Sequence, residues 1–329
     1  MMCGPREADV VRHLYFLGVS TSHSSIMTIF PAWAEALGLD AQIVGLDLAL
    51  AVPPDEFRTV LARMADDPFA AGALVTTHKT ALYDAAHDLF TDLDDWARLC
   101  REVSCIALRP QSIRGWAKDP ITARQACTWL LGDDPWAGGD TDVVCLGAGG
   151  AGLALTVAVL GGVHQPTRYV LVDKDPRRLD IARSAVAQLD VRAEVEYAVT
   201  ATASTSDSLV ASARPGSLVV NATGMGKDRP GSPVSDRVVF PVEAIAWDLN
   251  YRGDLRFLDF ASAQSADRGV RISDGWQYFL HGWTEVIGEV FDIAIDSATF
   301  DGLKAIAESI TGRGPVEAGG HAARGVSRA

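Results

Sequence analysis

One short segment constrains the fold of this chain more than any other. The apolar run DVVCL ends at Leu146 and passes directly into the glycine-rich sequence GAGGAG (147–152), after which an alanine- and leucine-rich stretch continues to Leu160. A strand, a tight glycine turn and a helix in this order open a right-handed βαβ unit. The sequence therefore predicts a doubly wound, mainly parallel sheet around this segment.

Apolar runs alternate with amphipathic helical stretches on both sides of the glycine segment. This rhythm is typical of α/β proteins. CIALRP and IRGWA predict a hairpin around Gln111 and Ser112, and the pattern becomes helical from Asp274 onward, with a further helix near 298–310. The predicted strands are LYFLGV, QIVGLDL and GALVTT before the glycine segment, and RYVLVD, VRAEVEYAV, SLVVNAT and AIAWDLNY after it.

The glycine segment has the spacing of a dinucleotide-binding turn. Gly147 permits the tight turn, Gly149 lets the backbone approach a pyrophosphate, and Gly152 lets helix and strand pack closely. The helix N-terminus then presents free N–H groups and a positive dipole end to the phosphates. A turn without a ligand is the alternative. We predict that the cofactor is held by Gly147, Ala148, Gly149, Gly150, Ala151 and Gly152.

The residue that selects the cofactor is predicted at the end of the next strand. Asp173 in LVDKDP lies where an acidic side chain accepts hydrogen bonds from the adenosine ribose and repels a 2′-phosphate, which favours NAD over NADP. Lys174, Arg177 and Arg178 follow at once and offer the opposite interpretation, a clamp for that phosphate. We include Lys174 and Arg178 among the predicted cofactor contacts.

The chain is long enough for two lobes, and a breaker-rich linker, GDDPWAGGDT (132–141), lies between two α/β segments. We predict an N-terminal α/β substrate and catalytic domain over 1–131 that includes the helices of 274–311. A Rossmann-type dinucleotide-binding domain follows over 132–273, and the Gly- and Ala-rich stretch 312–329 is predicted to be a flexible tail.

Charge and cysteine content exclude several function classes. The formal charge is 29 − 42 = −13, which argues against nucleic acid or an anionic membrane as partner and favours a small-molecule substrate. The five cysteines are scattered without CxxC spacing, so we expect no metal and a reducing, cytoplasmic location. No apolar run is long enough to span a membrane. A homodimer remains open.

Two side chains at predicted strand ends suit proton transfer. Hydride transfer at a carbinol carbon needs a proton partner for the oxygen. Lys79 follows the strand GALVTT, and Asp119 follows IRGWA, so both fall at a carboxyl edge of the first lobe. A lysine in such a place is also commonly a solvated surface group.

The sequence resembles the shikimate dehydrogenase family from about Leu14 to Phe291. GVSTSHSS is similar to that family's GxPxxHSxSP, GALVTTHK to GxNVTxPxK, AKD to NTD, LGAGGAG to LGAGGA, NATGMG to NATPxG and WDLNY to DxxYxP. The resemblance implies a catalytic dyad of Lys79 and Asp119 and a substrate contact at Tyr251. It also implies that a loop near the nicotinamide includes Asn221, Thr223, Gly224 and Met225.

Several substrate positions depart from the family pattern. Ile26 stands where the family's second carboxylate-binding serine is expected, and the glutamine of its MLxxQ helix becomes Gly282. Thr76 takes the place of the family's threonine in a stretch that is one residue short. The candidate substrate contacts in this chain are Ser22, Ser24, Thr76, Tyr251, Gln277 and His281.

These departures make shikimate itself an unsuitable substrate, because a closed site that has lost polar partners discriminates strongly. We expect an oxidoreductase that transfers hydride between NAD(H) and a secondary alcohol or ketone of a small cyclitol or hydroxy acid. A non-catalytic NAD-binding sensor and a nicotinamide enzyme for amino or imino acids are the alternatives. Tyr278, His281 and Glu285 share one helix face and also allow a metal-ligand interpretation, although aromatic residues at this spacing usually form core.

Overall fold

The computed structural model describes residues 11–138, 140–227 and 229–314. They divide into two compact units, so the prediction of a two-lobed α/β protein with mainly parallel sheets is confirmed. The first unit holds residues up to Lys118 and again from Gly282, and the second runs from Asp119 to His281.

The predicted domain boundaries differ from these divisions and lie at 131/132 and 273/274. The structure assigns to the second unit the whole helix Asp119–Leu131 and the first turns of the helix Trp276–Phe291, which the prediction assigned to the first domain. The domain bounds stay a prediction. Residues 315–329 of the predicted tail lie outside the described part of the chain.

The first unit contains a six-stranded mixed sheet. Its strands are β1 (Arg12–Gly18), β2 (Ala41–Asp47), β3 (Ala70–Val75), β4 (Asp92–Leu93), β5 (Cys105–Arg109) and β6 (Ser112–Trp116), in the order β2-β1-β3-β5-β6-β4. β1 pairs in parallel with β2 and β3, so the carboxyl ends of these three strands meet at one edge. The predicted hairpin is confirmed: Arg109 pairs with Ser112, and Gln111 has a left-handed φ of 62°.

Helices cover this sheet and bury its apolar strands. They are α1 (Ile26–Leu37), α2 (Pro54–Asp66), α3 (Lys79–Ala86), α4 (Asp95–Cys100) and α12 (Ser297–Thr311), with a 3₁₀ turn at Thr21–His23. The strand β3 is buried from Ala71 to Val75 because it lies in the interior of the sheet. The core around it includes Leu17, Leu61, Val75, Leu82 and Ile106.

The second unit contains a fully parallel six-stranded sheet. Its strands are β7 (Asp142–Leu146), β8 (Arg168–Asp173), β9 (Glu194–Val199), β10 (Leu218–Asn221), β11 (Ile245–Asp248) and β12 (Arg271–Ser273), in the order β12-β11-β10-β7-β8-β9. Because β10 and β8 both flank β7, the loops that follow these three strands are neighbours at the carboxyl edge.

Seven helices in the described residues belong to this unit, and the last of them continues into the first unit. They are α5 (Asp119–Leu131), α6 (Gly150–Leu160), α7 (Pro176–Val186), α8 (Ala203–Ala211), α9 (Arg256–Ser262), α10 (Ser265–Arg268) and α11 (Trp276–Phe291). The short elements α9, α10 and β12 have no counterpart among the predicted elements. No described helix is long and apolar enough to cross a membrane.

Candidate active site

The glycine turn between β7 and α6 is packed against the loop that follows β10. Gly147 has a φ of 110°, which side-chain-bearing residues rarely adopt. A Cβ there would lie 2.8 Å from the carbonyl carbon and oxygen of Ala222. A Cβ on Gly152 would overlap the carbonyl oxygen of Gly147. The first and last glycines are therefore required by packing.

Gly149 is different because no described residue crowds it. It is the N-cap of α6 with a φ of −73°, and a Cβ there would meet only Nη1 of Arg178, at 3.7 Å. The open space above Gly149 lies beside the first turn of α6, where Gly150 and Ala151 present backbone N–H groups. This arrangement fits a pyrophosphate, which needs close approach to the backbone and to a helix N-terminus.

Asp173 ends β8 and is tied into the glycine turn. Its Oδ2 accepts a hydrogen bond from the N–H of Ala148 at 2.8 Å, and its Oδ1 accepts one from the N–H of Asp175 at 2.9 Å. Arg178 Nη1 lies 3.7 Å from Oδ2, and the side chains of Lys174 and Arg178 are exposed. Each carboxylate oxygen therefore keeps one lone pair for a further donor.

Asn221 organises the loop that contacts Gly147. Its side-chain oxygen accepts from the N–H and hydroxyl of Thr223, at 3.1 and 2.6 Å, and its amide nitrogen donates to the carbonyl of Met225. Thr223 in turn accepts from the N–H of Met225, and Gly224 has a left-handed φ of 73°. The structure thus brings the four predicted nicotinamide-loop residues together beside the glycine turn.

The start of α11 carries two predicted substrate contacts, Gln277 and His281, and the ring of a third, Tyr251, packs against it. Gln277 is 3% exposed, and both polar atoms of its side chain lack a hydrogen-bond partner among the described residues. Burial lowers the pKa of His281 to about 4, so the imidazole is neutral at pH 7. The ring of Tyr251 packs against Trp276 and Phe279, with ring centroids 5.5 and 4.6 Å away.

Ser22 and Ser24 lie on a turn that a strand-end carboxylate holds in place. The N–H and hydroxyl of Thr21 donate to Oδ1 of Asp47, at 2.7 and 2.6 Å, and these bonds hold the pKa of Asp47 below its usual value. Ser22 is exposed and Ser24 half-buried. Sequence reasoning missed Asp47, although an acidic residue at the end of an apolar strand was a visible signal.

Thr76 and Lys79 follow β3 at the same carboxyl edge. The Thr76 hydroxyl donates to the carbonyl of Leu17 at 3.2 Å, which fixes its orientation within the first unit. Lys79 is half-buried and begins α3, and its carbonyl accepts from the N–H of Val103. Asp119 is buried at the first position of α5 and opens the second unit. Its pairing with Lys79 stays a prediction.

Lys118 is a buried cation that sequence reasoning did not single out. Its Nζ lies 2.7 Å from Glu289 and 3.9 Å from Glu285, and its N–H donates to the hydroxyl of Ser104 at 2.7 Å. Ser104 thus has a structural role. These bonds fix the chain immediately before Asp119.

No cluster of three or more His, Cys, Asp or Glu side chains in the described ranges is arranged to hold a metal ion. Glu285, which could have been a ligand beside His281, instead lies close to the ammonium of Lys118.

Comparison with known proteins identifies the family, although no family model matches the chain. The protein is 30% identical to the shikimate dehydrogenase (NADP(+)) of Brucella ovis over 276 residues, which are 82% of this chain and 85% of that protein. It is 26% identical to the corresponding enzyme of Acidiphilium cryptum over 239 residues, which are 69% of this chain and 76% of that protein.

Solved structures share the fold at lower identity. Shikimate dehydrogenase from Aquifex aeolicus aligns with a TM-score of 0.70 at 16% identity, covering 92% of this chain and 97% of that one. Quinate dehydrogenase from Corynebacterium glutamicum in complex with NAD aligns with a TM-score of 0.68 at 20% identity, covering 91% and 99%. The ligand-free 5-ketofructose reductase of Gluconobacter sp. gives 0.64 at 20%, covering 92% and 99%.

The identity to the Brucella enzyme extends over more than four-fifths of both chains, and the solved structures reproduce the two-lobed fold. This protein therefore belongs to the shikimate dehydrogenase family and is a nicotinamide-dependent oxidoreductase that acts on a CH–OH group.

Proposed function

We propose that the protein transfers hydride between NAD(H) and a secondary alcohol or ketone of a small polyhydroxylated compound, a cyclitol or hydroxy acid other than shikimate. The observation that carries the proposal is the open backbone at Gly149, beside a glycine turn that the protein otherwise packs tightly. A dinucleotide explains why this glycine is present, since protein packing does not require it.

The proton in this reaction is assigned to Lys79 and Asp119. When bound, the nicotinamide supplies or takes up the hydride. Lys79 passes the proton to or from the substrate oxygen, and Asp119 holds the ammonium in the productive orientation. The bonds of Lys118 to Ser104 and Glu289 keep the segment before Asp119 in one position, which favours a reproducible geometry.

The polar groups proposed for the substrate are predominantly neutral. Ile26 replaces a serine of the family's carboxylate site, Ser104 is hydrogen-bonded within the protein, and His281 is uncharged at neutral pH. Gln277 offers an amide whose donor and acceptor are both unused within the described residues. Neutral donors and acceptors suit hydroxyl and carbonyl groups better than a carboxylate, so a hydroxy-acid substrate would carry its carboxylate elsewhere. The fold of 5-ketofructose reductase, named for a neutral keto sugar, is consistent with this proposal.

The choice of NAD rests on the carboxylates at the end of β8. Asp173 and Asp175 would both repel a 2′-phosphate, and Arg177 is bonded to Asp175 at 3.1 and 3.0 Å. The Brucella and Acidiphilium relatives are named as NADP⁺ enzymes, which favours NADP and is opposite to the sequence-based prediction. Lys174 and Arg178 are the exposed cations that would serve NADP here. The Corynebacterium quinate dehydrogenase was solved with NAD.

The test is turnover of a panel of cyclitols, neutral keto sugars, hydroxy acids and amino acids, each assayed with NAD(H) and NADP(H). We expect activity on a cyclitol or hydroxy compound with NAD and little on shikimate. Efficient oxidation of shikimate, or a large preference for NADPH, would contradict the respective part of the proposal. Activity on amino acids would favour the alternative of an imino-acid enzyme.

The dyad is tested by Lys79→Met and Asp119→Asn. Both substitutions should abolish turnover and retain NADH binding. Neither residue belongs to the glycine turn or to loop 222–226, the loop that follows β10. Lys304→Met is the matched control in the first unit, where Lys304 pairs with Glu308 on α12. Its turnover should equal that of wild type. A dyad variant that keeps its rate would refute the mechanism, and an inactive wild type that still binds NADH would favour the sensor alternative.

We also propose a cellular location and the partners of the protein. Cys100, Cys105, Cys127 and Cys145 are buried cysteines that form no disulfide within the described residues, which is consistent with the cytoplasmic location that we propose. Small molecules are the proposed partners, and the homodimer is a question for size measurement in solution.

A further inference from the structure

Asp248 is a buried carboxylate that the proton chemistry above does not use. It ends β11, is fully buried, and pairs in register with Asn221 at the end of β10. An isolated carboxylate in this position is costly unless hydrogen bonds compensate for the loss of water. Burial raises the pKa of Asp248 to about 6 even though several donors surround it.

The donors around Asp248 are two asparagine amides and one backbone N–H. Oδ2 accepts from Nδ2 of Asn221 at 2.9 Å, while Oδ1 accepts from the N–H and from Nδ2 of Asn250, at 2.9 and 2.8 Å. Asn221 and Asn250 also donate to the same carbonyl, that of Met225, both at 3.2 Å. The carboxylate is therefore connected to the backbone of loop 222–226 through two side chains.

The direction of these bonds matters because an amide has two unlike ends. An ionised carboxylate only accepts hydrogen bonds, so Asn221 must turn its NH₂ toward Asp248. That leaves the carbonyl oxygen of Asn221 facing Thr223, where it accepts from both the N–H and the hydroxyl. If residue 248 presented a donor in place of Oδ2, that donor would face the NH₂ of Asn221. The Asn221 amide would then favour the flipped orientation, in which its NH₂ faces the N–H and hydroxyl donors of Thr223.

We infer that Asp248 is a positioning residue for the nicotinamide end of the cofactor: its buried carboxylate orients the Asn221 and Asn250 amides, and these amides hold loop 222–226 against the glycine turn. The inference rests on the proposed function and on the family resemblance, which implies that this loop lies near the nicotinamide. The adenosine end is held separately, by the first turn of α6 and by Asp173. Asp248 should therefore affect one end of the dinucleotide and not the other.

The experiment uses Asp248→Asn, which changes the carboxylate to an amide of nearly the same size. Binding of NADH and of ADP-ribose, which lacks the nicotinamide, is measured by calorimetry. We expect NADH affinity to fall about tenfold, equivalent to about 1.4 kcal/mol, while ADP-ribose affinity stays within about twofold of wild type. Asp236→Asn, at an exposed aspartate of the same unit, should change neither.

A second measurement does not depend on the cofactor. Hydrogen exchange of the peptide that covers 222–226, followed by mass spectrometry without ligand, should be faster in Asp248→Asn, while peptides of β7 and β8 exchange as in wild type. An unchanged loop peptide would overturn the inference, and so would equal losses of NADH and ADP-ribose affinity. If the wild type bound neither ligand, the proposed function would fail, and the exchange data would still decide whether Asp248 orders the loop.

Discussion

The three glycines of the turn should respond differently to the same substitution, and this difference tests the proposed binding mode. At Gly147 an alanine must adopt a φ of 110° and place its Cβ 2.8 Å from the backbone of Ala222. A strained backbone costs about 1–3 kcal/mol and overpacking a further 1–3 kcal/mol, so Gly147→Ala should lower the free energy of unfolding by about 2–6 kcal/mol.

Gly149→Ala is the matched variant that separates packing from binding. Its φ of −73° is ordinary for any residue, and the nearest protein atom to the new Cβ is Arg178 Nη1 at 3.7 Å. Stability should therefore change by less than about 1 kcal/mol. The added methyl group would stand where the pyrophosphate approaches the backbone, so NADH affinity should fall by about tenfold or more.

Thermal unfolding and calorimetric NADH titration measure the two effects on the same samples. For a domain of this size, Gly147→Ala should lower the melting temperature by at least about 5 °C, while Gly149→Ala should melt close to wild type. A Gly149→Ala protein that binds NADH as wild type does would refute the placement of the pyrophosphate. A Gly147→Ala protein that melts as wild type does would refute the packing argument.

Three further predictions follow from the polar groups of the site. His281 has a folded-state pKa of about 4, below its unfolded value, so its contribution to stability is complete above about pH 6.5 and is lost as the pH falls toward 4. His281→Gln should flatten the fall of the urea midpoint between pH 7 and 5, and a parallel decline would contradict this. Glu289→Gln should lower the free energy of unfolding by about 1–3 kcal/mol, because the buried ammonium of Lys118 loses the ionised partner that lies 2.7 Å away; urea unfolding without a shift would show that the charge of Glu289 adds nothing. Gln277→Leu should unfold no more easily than wild type, since a buried amide without a partner in the described residues is removed, yet kcat/KM for the substrate should fall. Unchanged kcat/KM would exclude Gln277 from the substrate site.

Much of the fold could be predicted from the sequence because its signals are local. The run DVVCL is buried at all five positions as β7, and the glycine spacing fixes the turn after it. The hairpin at Gln111 was visible from two apolar runs that a short turn separates. Short elements such as α10 (Ser265–Arg268) and β12 (Arg271–Ser273) carry too few residues for a periodic pattern, and β12 forms because β11 offers an edge to pair with.

The contacts that build the site could not be predicted in the same way, because they join residues far apart in the chain. Lys118 meets Glu289 across 171 positions, and no spacing rule relates them. Ser104 accepts the N–H of Lys118 from 14 positions earlier in the chain. The sequence pattern indicated which strand ends carry polar side chains; only the packing shows which of those side chains remain available to a ligand.

An aspartate at the edge of a sheet from which the site loops extend has two interpretations: it can contact a ligand, or it can accept hydrogen bonds that hold the loops. Three such aspartates accept hydrogen bonds from loops of the proposed site: Asp47 from Thr21, Asp173 from Ala148 and Asp175, and Asp248 from Asn221 and Asn250. A fourth, Asp94, caps α4 through the N–H of Ala97 and accepts a second bond from the N–H of Ala117. A carboxylate suits this task because it only accepts, so it imposes one direction on every donor around it. Asp173 was predicted as a ribose contact, and its bond to the Ala148 N–H adds a second role, since the same carboxylate holds the glycine turn. Ordered loops at both sheets therefore depend on acidic side chains that a motif would assign to ligands or leave unnoticed, and part of the chain's negative charge is accounted for by this internal use.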